Sequence, residues 1–361
     1  ISAHITRIGG APMTTYTAIS LFSGIGAFDY AASMAGFNIL AQVEIDEFCR
    51  KVLAKHHDRY WCNSTQFADV REFGIDQFPQ GRGVNLIFGG FPCFVAGTMV
   101  LTADGYKPIE NIKVGDIVLT HLGNWKPVYS VMRRQSKETV TVKAQNTPAI
   151  TTTSEHPFFA RYCNYVWDNP NRTYRRCFSC PDWVNASNLS KTHFLGQVLP
   201  AISNEDVHNC DFWWVVGNYL ANGWLVDRKN RKDSGRVVIC CPEHKLDMLA
   251  SMIHKAGFNF TSVKERAVTK LHIVNVAFYR FLRTFGRKAY GKNLPGFVFE
   301  LSPEKAKSLL DGYLAGDGYT EYAEDGITVK IRQANTVSKA LALGMSLIAQ
   351  RAYGIVAGVD Y

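Results

Sequence analysis

"GGFPCFVAGTMVL", residues 89–101, changes character midway. As far as Cys93 it continues an alternating strand and helix pattern. From Phe94 onward it does not. The turn Gly89-Gly90-Phe91-Pro92 delivers Cys93 as a presented nucleophile, and Phe94-Val95-Ala96-Gly97-Thr98 then leads into the apolar run Met99-Val100-Leu101. Which chemistry Cys93 serves decides how the 361 residues divide.

Upstream, "TAISLFSGIGAFDYAASMAGF" (17–37) predicts a buried strand over 19–22, a glycine turn over 23–26 and a helix over 27–34 that closes near Gly36. "NILAQVEID" predicts a second strand ending in Glu44 and Asp46, and a helix follows over about 47–55. "ADVREF" is a loop bearing Asp69, and "VNLIFGG" is another buried strand. Such alternation means an open parallel α/β sheet with ligands at the carboxyl ends of its strands. Glycines let the backbone approach a nucleoside closely. An acid after the second strand suits a ribose, and one after the third suits an adenine amine.

Residues 17–93 resemble the N-terminal third of a DNA cytosine-5 methyltransferase. "LFSGIGAFDYAASMAGF", "EID", "ADV" and "GGFPC" match four motifs of that family. The resemblance implies a Rossmann-like fold over 13–92 and S-adenosylmethionine held by Phe22, Gly24, Gly26, Glu44, Ile45 and Asp69, with Gly90 and Pro92 near the target base. It also implies a cysteine that adds to carbon 6 of a flipped-out cytosine. Asn85 stands where the family often has an acid.

In that family a glutamine and a nearby serine follow the cysteine. Here the chain turns into short strands separated by Ala103-Asp104-Gly105, Lys113-Val114-Gly115-Asp116 and Leu122-Gly123-Asn124. A period-two pattern returns in "VTVKAQ" and "AITTTSEHPFFA". Residues 93–207 read as an all-β insertion that resembles the Hint splicing domain of an intein. The opening Cys93, Thr98, the Gly115-Asp116 turn, the Thr153-Ser154-Glu155-His156 block and "PDWVNASNL" carry the resemblance. It implies that Cys93 attacks the carbonyl carbon of Pro92, with His156 as proton donor, Thr153 as the hydrogen-bonding partner of the amide and Asp116 assisting. A rival reading keeps an uninterrupted methyltransferase with a large insertion and Cys93 acting on cytosine.

"FWWVVGNYLANGWL" (212–225) and "KSLLDGYLAGDGYTE" (307–321) are two apolar helices about 95 residues apart, and similar elements follow each. "RVVICC" and "HIVNVA" read as strands, "EHKLDMLASMIHKAG" and 278–285 as helices; after the second copy come "ITVKIRQ" as strand and "TVSKALALGMSLIAQRAYG" as helix. Two α-β-β-α halves over 208–361 give an α+β pseudo-twofold suited to a long DNA site. The pair resembles LAGLIDADG homing endonucleases. Gly217, Leu220, Gly223, Gly312, Ala315 and Gly318 are the small or apolar residues at the helix contact. The family places an acid at the foot of each helix to hold divalent metal, which implies magnesium at Asp317 and at Asn222. Asn222 is a neutral ligand, so nicking or plain DNA binding stays open beside cleavage. "GKNLP" makes Lys292 a candidate for charge stabilisation.

Composition sets the bounds. Residues 1–92 carry seven basic and eight acidic side chains, 93–208 twelve and nine, and 209–361 twenty-one and fourteen, so the basic excess that suits duplex DNA lies late in the chain. Nine cysteines, an odd number, point to reduced thiols inside a cell, and the expected setting is cytoplasmic, in a prokaryote or phage. Cys163 and Cys177-x-x-Cys180 lack a second pair for a zinc site. No apolar run is long enough to span a bilayer, and the residues before Met13 read as an untidy leader. The final "AYGIVAGVDY" lacks a terminal His-Asn step, so the expectation is a truncated precursor whose partner is its own C-terminal remainder.

Overall fold

The computed structural model describes residues 16–70, 73–74, 83–90, 92–133, 135–136, 138–169, 171–203, 205–228, 231–324 and 329–360. The expected leader, Phe91 of the turn, Arg71 and Glu72 of the Asp69 loop, and the first two residues of the last expected strand lie outside these. The chain divides into two compact units, Ile1–Pro92 and Cys93–Tyr361.

The first unit is built from β1 (Thr17–Leu21), α1 (Ala27–Met34), β2 (Asn38–Val43), α2 (Glu47–Tyr60), β3 (Thr65–Phe67) and β4 (Leu86–Gly89). The strands form a parallel sheet in the order β3-β2-β1-β4. Ala18, Ile39, Leu53 and Trp61 are its buried core. Helix α2 runs beyond the expected end because "KHHDRY" contains no breaker, and the Asp46 carboxylate starts it by accepting the Cys49 N–H at 2.8 Å. Gly26 enters α1 at φ 86, and a side chain there would collide with Leu53 and Trp61.

In the second unit β5 (Met99–Thr102), β6 (Gly105–Pro108), β7 (Ile117–Leu119) and β8 (Trp125–Pro127) form an antiparallel sheet ordered β6-β5-β7-β8. β9 (Val140–Val142) pairs with β10 (Ile150–Thr152). The long β11 (Pro157–Asp168) pairs at its outer end with β12 (Thr173–Phe178) and at its base with β13 (Asp182–Asn185) and β14 (His193–Leu195).

Residues 208–360 supply α3 (Cys210–Asn222), β15 (Gly223–Arg228), β16 (Arg231–Pro242), α4 (Leu246–Lys255), β17 (Thr261–Glu265), β18 (Val268–Ile273), α5 (Val276–Arg283), α6 (Pro303–Asp317), β19 (Gly318–Tyr322), β20 (Val329–Ala334) and α7 (Lys339–Tyr353). The first half is therefore α-β-β-α-β-β-α around an antiparallel sheet ordered β15-β16-β18-β17, richer than the expected α-β-β-α. Strand β17, "TSVKE", is exposed along its whole length and carries no apolar alternation to betray it. The expected strand 272–277 stops at Ile273, because Asn275 caps α5 by accepting the Phe278 N–H at 2.9 Å.

Helices α3 and α6 cross backbone to backbone. A Cβ on Gly217 would overlap the Leu309 carbonyl, and one on Gly312 would overlap that of Trp214. Gly316 faces Ala221 and Asn222 in the same seam. Gly223 and Gly318 sit outside the crossing and open the strands that follow, which corrects their expected part in the helix contact.

The β-rich and helical parts of this unit share one core, with Leu101, Tyr106 and Leu199 packed against the cluster around α3 and α6. The segment 293–300 is the seam between them. The Trp125 indole donates to Glu300 Oε1 at 2.6 Å, Tyr106 N donates to Asn293 Oδ1 at 3.2 Å, and Gly296 N donates to the Ala103 carbonyl at 2.7 Å.

Gly217→Ala should destabilise the second unit by about 3 kcal/mol, because no flexible atom gives way beneath the new methyl group. Gly291→Ala, where a Cβ meets nothing, should stay within about 0.5 kcal/mol in the same urea titration.

Candidate functional site

The strand ends of the first unit form a cradle. Phe22 (φ 55), Gly24 (φ 56) and Gly26 make the turn after β1, and open space lies above Gly24. Glu44, just past β2, accepts the Gly24 N–H on one carboxylate oxygen at 2.7 Å and the Asp46 N–H on the other at 2.8 Å. Each oxygen keeps a lone pair for a ligand hydroxyl. Ile45 beside it is an exposed apolar surface, 69% accessible. Beneath the turn, buried Asp29 accepts from Ser20 at 2.9 Å and Gln42 at 2.7 Å, and burial pushes its carboxyl above the usual range. A side chain at Gly89 would overlap the Leu21 carbonyl. The turn residues, the ribose-type acid and the apolar step fit an S-adenosylmethionine nucleoside. Asp29 and Gln42, which lock the turn from below, are not singled out by the sequence: Asp29 lies within "LFSGIGAFDYAASMAGF" and Gln42 within β2, but neither spacing nor composition assigns them this part.

In the second unit Cys93 and Thr153 hold each other reciprocally. The Cys93 N–H donates to Thr153 Oγ1 at 3.1 Å, and the Thr153 N–H donates to the Cys93 carbonyl at 3.0 Å. A bridge between Phe94 and Thr152 and a bond from Val95 N to the Thr151 carbonyl at 3.1 Å continue the pairing. Thr153 is buried, so little water competes for its hydroxyl. The His156 N–H donates to the Thr153 carbonyl at 3.1 Å, which closes a tight turn. Its ring lies 3.9 Å from that of Phe94, centroid to centroid, and its buried Nδ1 has no hydrogen-bond partner among the described residues. Burial lowers its pKa below the usual histidine value, against the opposing pull of Glu155.

Asp116 lies elsewhere in its contacts. It accepts the Lys113 N–H at 3.0 Å and meets Lys107 Nζ at 3.4 Å, and the backbone bond holds its carboxyl below the usual range. These contacts make it the anchor of its own turn, and neither of them involves Cys93. Among the described residues no group of three or more His, Cys, Asp or Glu gathers, Cys163, Cys177 and Cys180 included.

The feet of α3 and α6 end on Asn222 and Asp317. Buried Lys292 donates from Nζ to the Tyr219 carbonyl at 3.0 Å and the Leu220 carbonyl at 2.8 Å, so it caps the last turn of α3. Burial pulls its pKa down to about 8, while nearby Asp317 opposes the shift. Lys245 does the same for α6, donating to the Ala315 carbonyl at 2.7 Å. No local motif marks Lys245, and only the helix-end carbonyls reveal it. Burial raises the Asp317 carboxyl, and Lys292 and Lys245 hold it back. A cleft of ≈ 320 Å³ opens here, lined by Ala221, Lys292, Tyr313, Asp317 and Thr336 among others. Among the described residues Asp317 is the one carboxylate in that lining, a hard oxygen donor of the kind magnesium takes, while Asn222 stands at the foot of α3 with its Nδ2 toward Gly316.

Comparison with known proteins adds three findings. Residues 16–95 match the family model of C-5 cytosine-specific DNA methylases, and residues 92–155 match that of Hint domains. An iron–sulfur cluster assembly SufBD family protein of Mycobacterium tuberculosis is 24% identical over 271 residues, covering 66% of this chain and 30% of that protein. The replication factor C small subunit of Methanocaldococcus jannaschii is 30% identical over 130 residues, covering 32% of this chain and 7% of that protein. The chain thus spans less than a third of the length of these curated relatives. Among solved structures, I-DmoI in complex with DNA and manganese aligns at 12% identity and TM-score 0.24, covering 30% of this chain and 63% of that one. No helix among the described residues is long and apolar enough to cross a membrane. The two family matches overlap over residues 92–95, which hold the Pro92–Cys93 bond, and together they fit a DNA cytosine-5 methyltransferase interrupted by an intein.

Proposed function

We propose that residues 93–207 initiate protein splicing by an N-to-S acyl shift at Pro92–Cys93, and that residues 208–361 bind duplex DNA and cut it. The reciprocal Cys93–Thr153 pairing carries the first part. The Cys93 thiol gives its proton to water, its sulfur attacks the Pro92 carbonyl carbon, the C–N bond breaks and the acyl group passes to sulfur as a thioester. The nitrogen leaves as an amine after taking a proton from the His156 imidazolium. Thr153 pins that nitrogen through its N–H, which biases the amide away from planarity. The uninterrupted-methyltransferase reading gives Thr153 and His156 no task.

The curated relatives support an inserted element. An iron–sulfur cluster assembly SufBD family protein and a replication factor C small subunit bear unrelated names, yet each is similar to part of this chain. A match over 66% of the chain must draw mainly on residues after Pro92, since the first unit is only about a quarter of it. In the methyltransferase part, Phe22, Gly24, Gly26, Glu44, Ile45 and Asp69 would hold S-adenosylmethionine, which supplies an electrophilic methyl group, with Gly90 and Pro92 toward the base.

The glycine crossing and the paired helix ends support a LAGLIDADG-type endonuclease. Asp317 and Asn222 would hold magnesium, which supplies charge neutralisation at a phosphate. Lys292 and Lys245 set the helix ends and temper the Asp317 carboxylate. Because Asn222 brings no charge, the expected product is a nick in one strand.

Four outcomes test these assignments. Dithiothreitol should release a fragment ending at Pro92, seen by mass spectrometry, and Cys93→Ala should release none; equal release from both would sink the thioester. Thr153→Val should slow release about tenfold, the worth of one hydrogen bond, and Thr153→Ser should restore it. Because burial depresses the His156 pKa, its protonated form is recruited only below about pH 6.5. At constant thiolate concentration, release should therefore quicken as pH falls through that range in the wild type and stay flat in His156→Gln. On a supercoiled plasmid bearing the target, magnesium should yield open circles, Asp317→Asn none, and Asn222→Asp should add linear product.

A further inference from the structure

The outer part of the β11–β12 hairpin projects from the splicing fold with both faces in solvent. Beyond Cys163 nearly every residue of the two strands is exposed, including Tyr174 at 65%, Tyr165 at 59% and Trp167 at 49%. A bare two-stranded ribbon is marginal in water. This one is braced by cross-strand pairs: Trp167 opposite Tyr174, edge to face at 5.0 Å, and Tyr165 opposite Arg176, whose guanidinium lies 5.9 Å from the ring centre.

Its charge is one-sided. The two-stranded part carries Arg172, Arg175 and Arg176, and Arg161 stands at its base where β11 pairs with β14, against one acid between Pro157 and Phe178, Asp168. Asp168 is occupied with the tip, where it accepts Asn171 Nδ2 at 2.8 Å. All four arginines are exposed, and among the described residues none is in an ion pair with an acid. Alternation along a strand puts Arg175 and Arg176 on opposite faces, and Arg172 sits at the turn with φ 47. A folding role needs no such arrangement, since four unpaired guanidinium groups on one hairpin repel one another.

We propose that this ribbon is a second duplex-DNA contact surface, lodged in the major groove with its arginines on the phosphates of both walls. The groove, about 12 Å wide, admits a two-stranded β-ribbon, and the phosphate walls on either side explain guanidinium groups on both faces. The aromatic braces keep the ribbon stiff enough to hold them there. This surface lies in the splicing segment and does not depend on Asp317.

The test is a salt titration of full-length protein on a fluorescent duplex of arbitrary sequence, read by anisotropy. Replacing Arg161, Arg172, Arg175 and Arg176 together by Ala should weaken binding at least about tenfold and flatten the slope of log K against log salt by about 0.9 for each phosphate that is no longer neutralised. The quadruple Arg→Lys variant should keep the slope, which separates charge from folding. Should the alanine variant not fold, Arg172→Ala and Arg175→Ala singly should each flatten the slope by about 0.9. Run without magnesium, the titration reads binding alone and not cleavage, so the ribbon and the nuclease assignment fail separately. Unchanged affinity and slope in the arginine variants overturn the proposal, as does a weakening confined to a single-stranded probe.

Discussion

The crossing of α3 over α6 is the constraint on which the second unit depends. Two helices approach closely enough that each presents a bare backbone to the other, at Gly217 and Gly312. The approach puts both helix ends side by side, with four orphan carbonyls each to satisfy. Lys292 and Lys245 satisfy them from outside the helices, and their two ammonium groups temper the one acid, Asp317. Without the crossing, neither the cleft nor the paired helix feet would exist. Asn218 extends the same contact by donating to the Gly312 carbonyl at 3.2 Å.

At the other end of the unit the governing interaction is small. One threonine hydroxyl and one peptide N–H join the start of the segment at Cys93 to a turn sixty residues later. Thr153 has this position because β10 ends beside the opening residues, bridged through Phe94 and Thr152. The histidine three residues on is brought against Phe94 by the same turn, and its burial lowers its pKa. The arrangement around Cys93 thus rests on ordinary strand pairing between the start of the segment and an internal turn.

Much of this is legible in the sequence, and for physical reasons. Alternating strands and helices with glycines at fixed points announce the parallel sheet of the first unit, and Gly24, Gly26 and Glu44 lie where that pattern puts them. The abrupt change after Cys93 marks the junction because a period-two pattern cannot continue a βα unit. Strand β17 is invisible because a fully exposed strand has no periodicity to show. Lys245 and Asn218 are invisible because their partners are backbone carbonyls far away in sequence. The motif around Asp116 suggests a chemical part, whereas its contacts make it a turn anchor. Gly223 and Gly318 have the composition of a helix contact but open strands instead, while Gly316 takes the place in the seam.

The seam at 293–300 has a bearing on how such a chain can change over generations. Trp125 of the splicing sheet commits its indole N–H to Glu300 and rests against Gly296, while Tyr106 takes its backbone partner from Asn293. A lineage that shed the helical part would leave a tryptophan edge and several backbone groups facing water. Substitutions at this seam must therefore be matched on both sides, because the sheet and the helical part fold under one shared stability constraint.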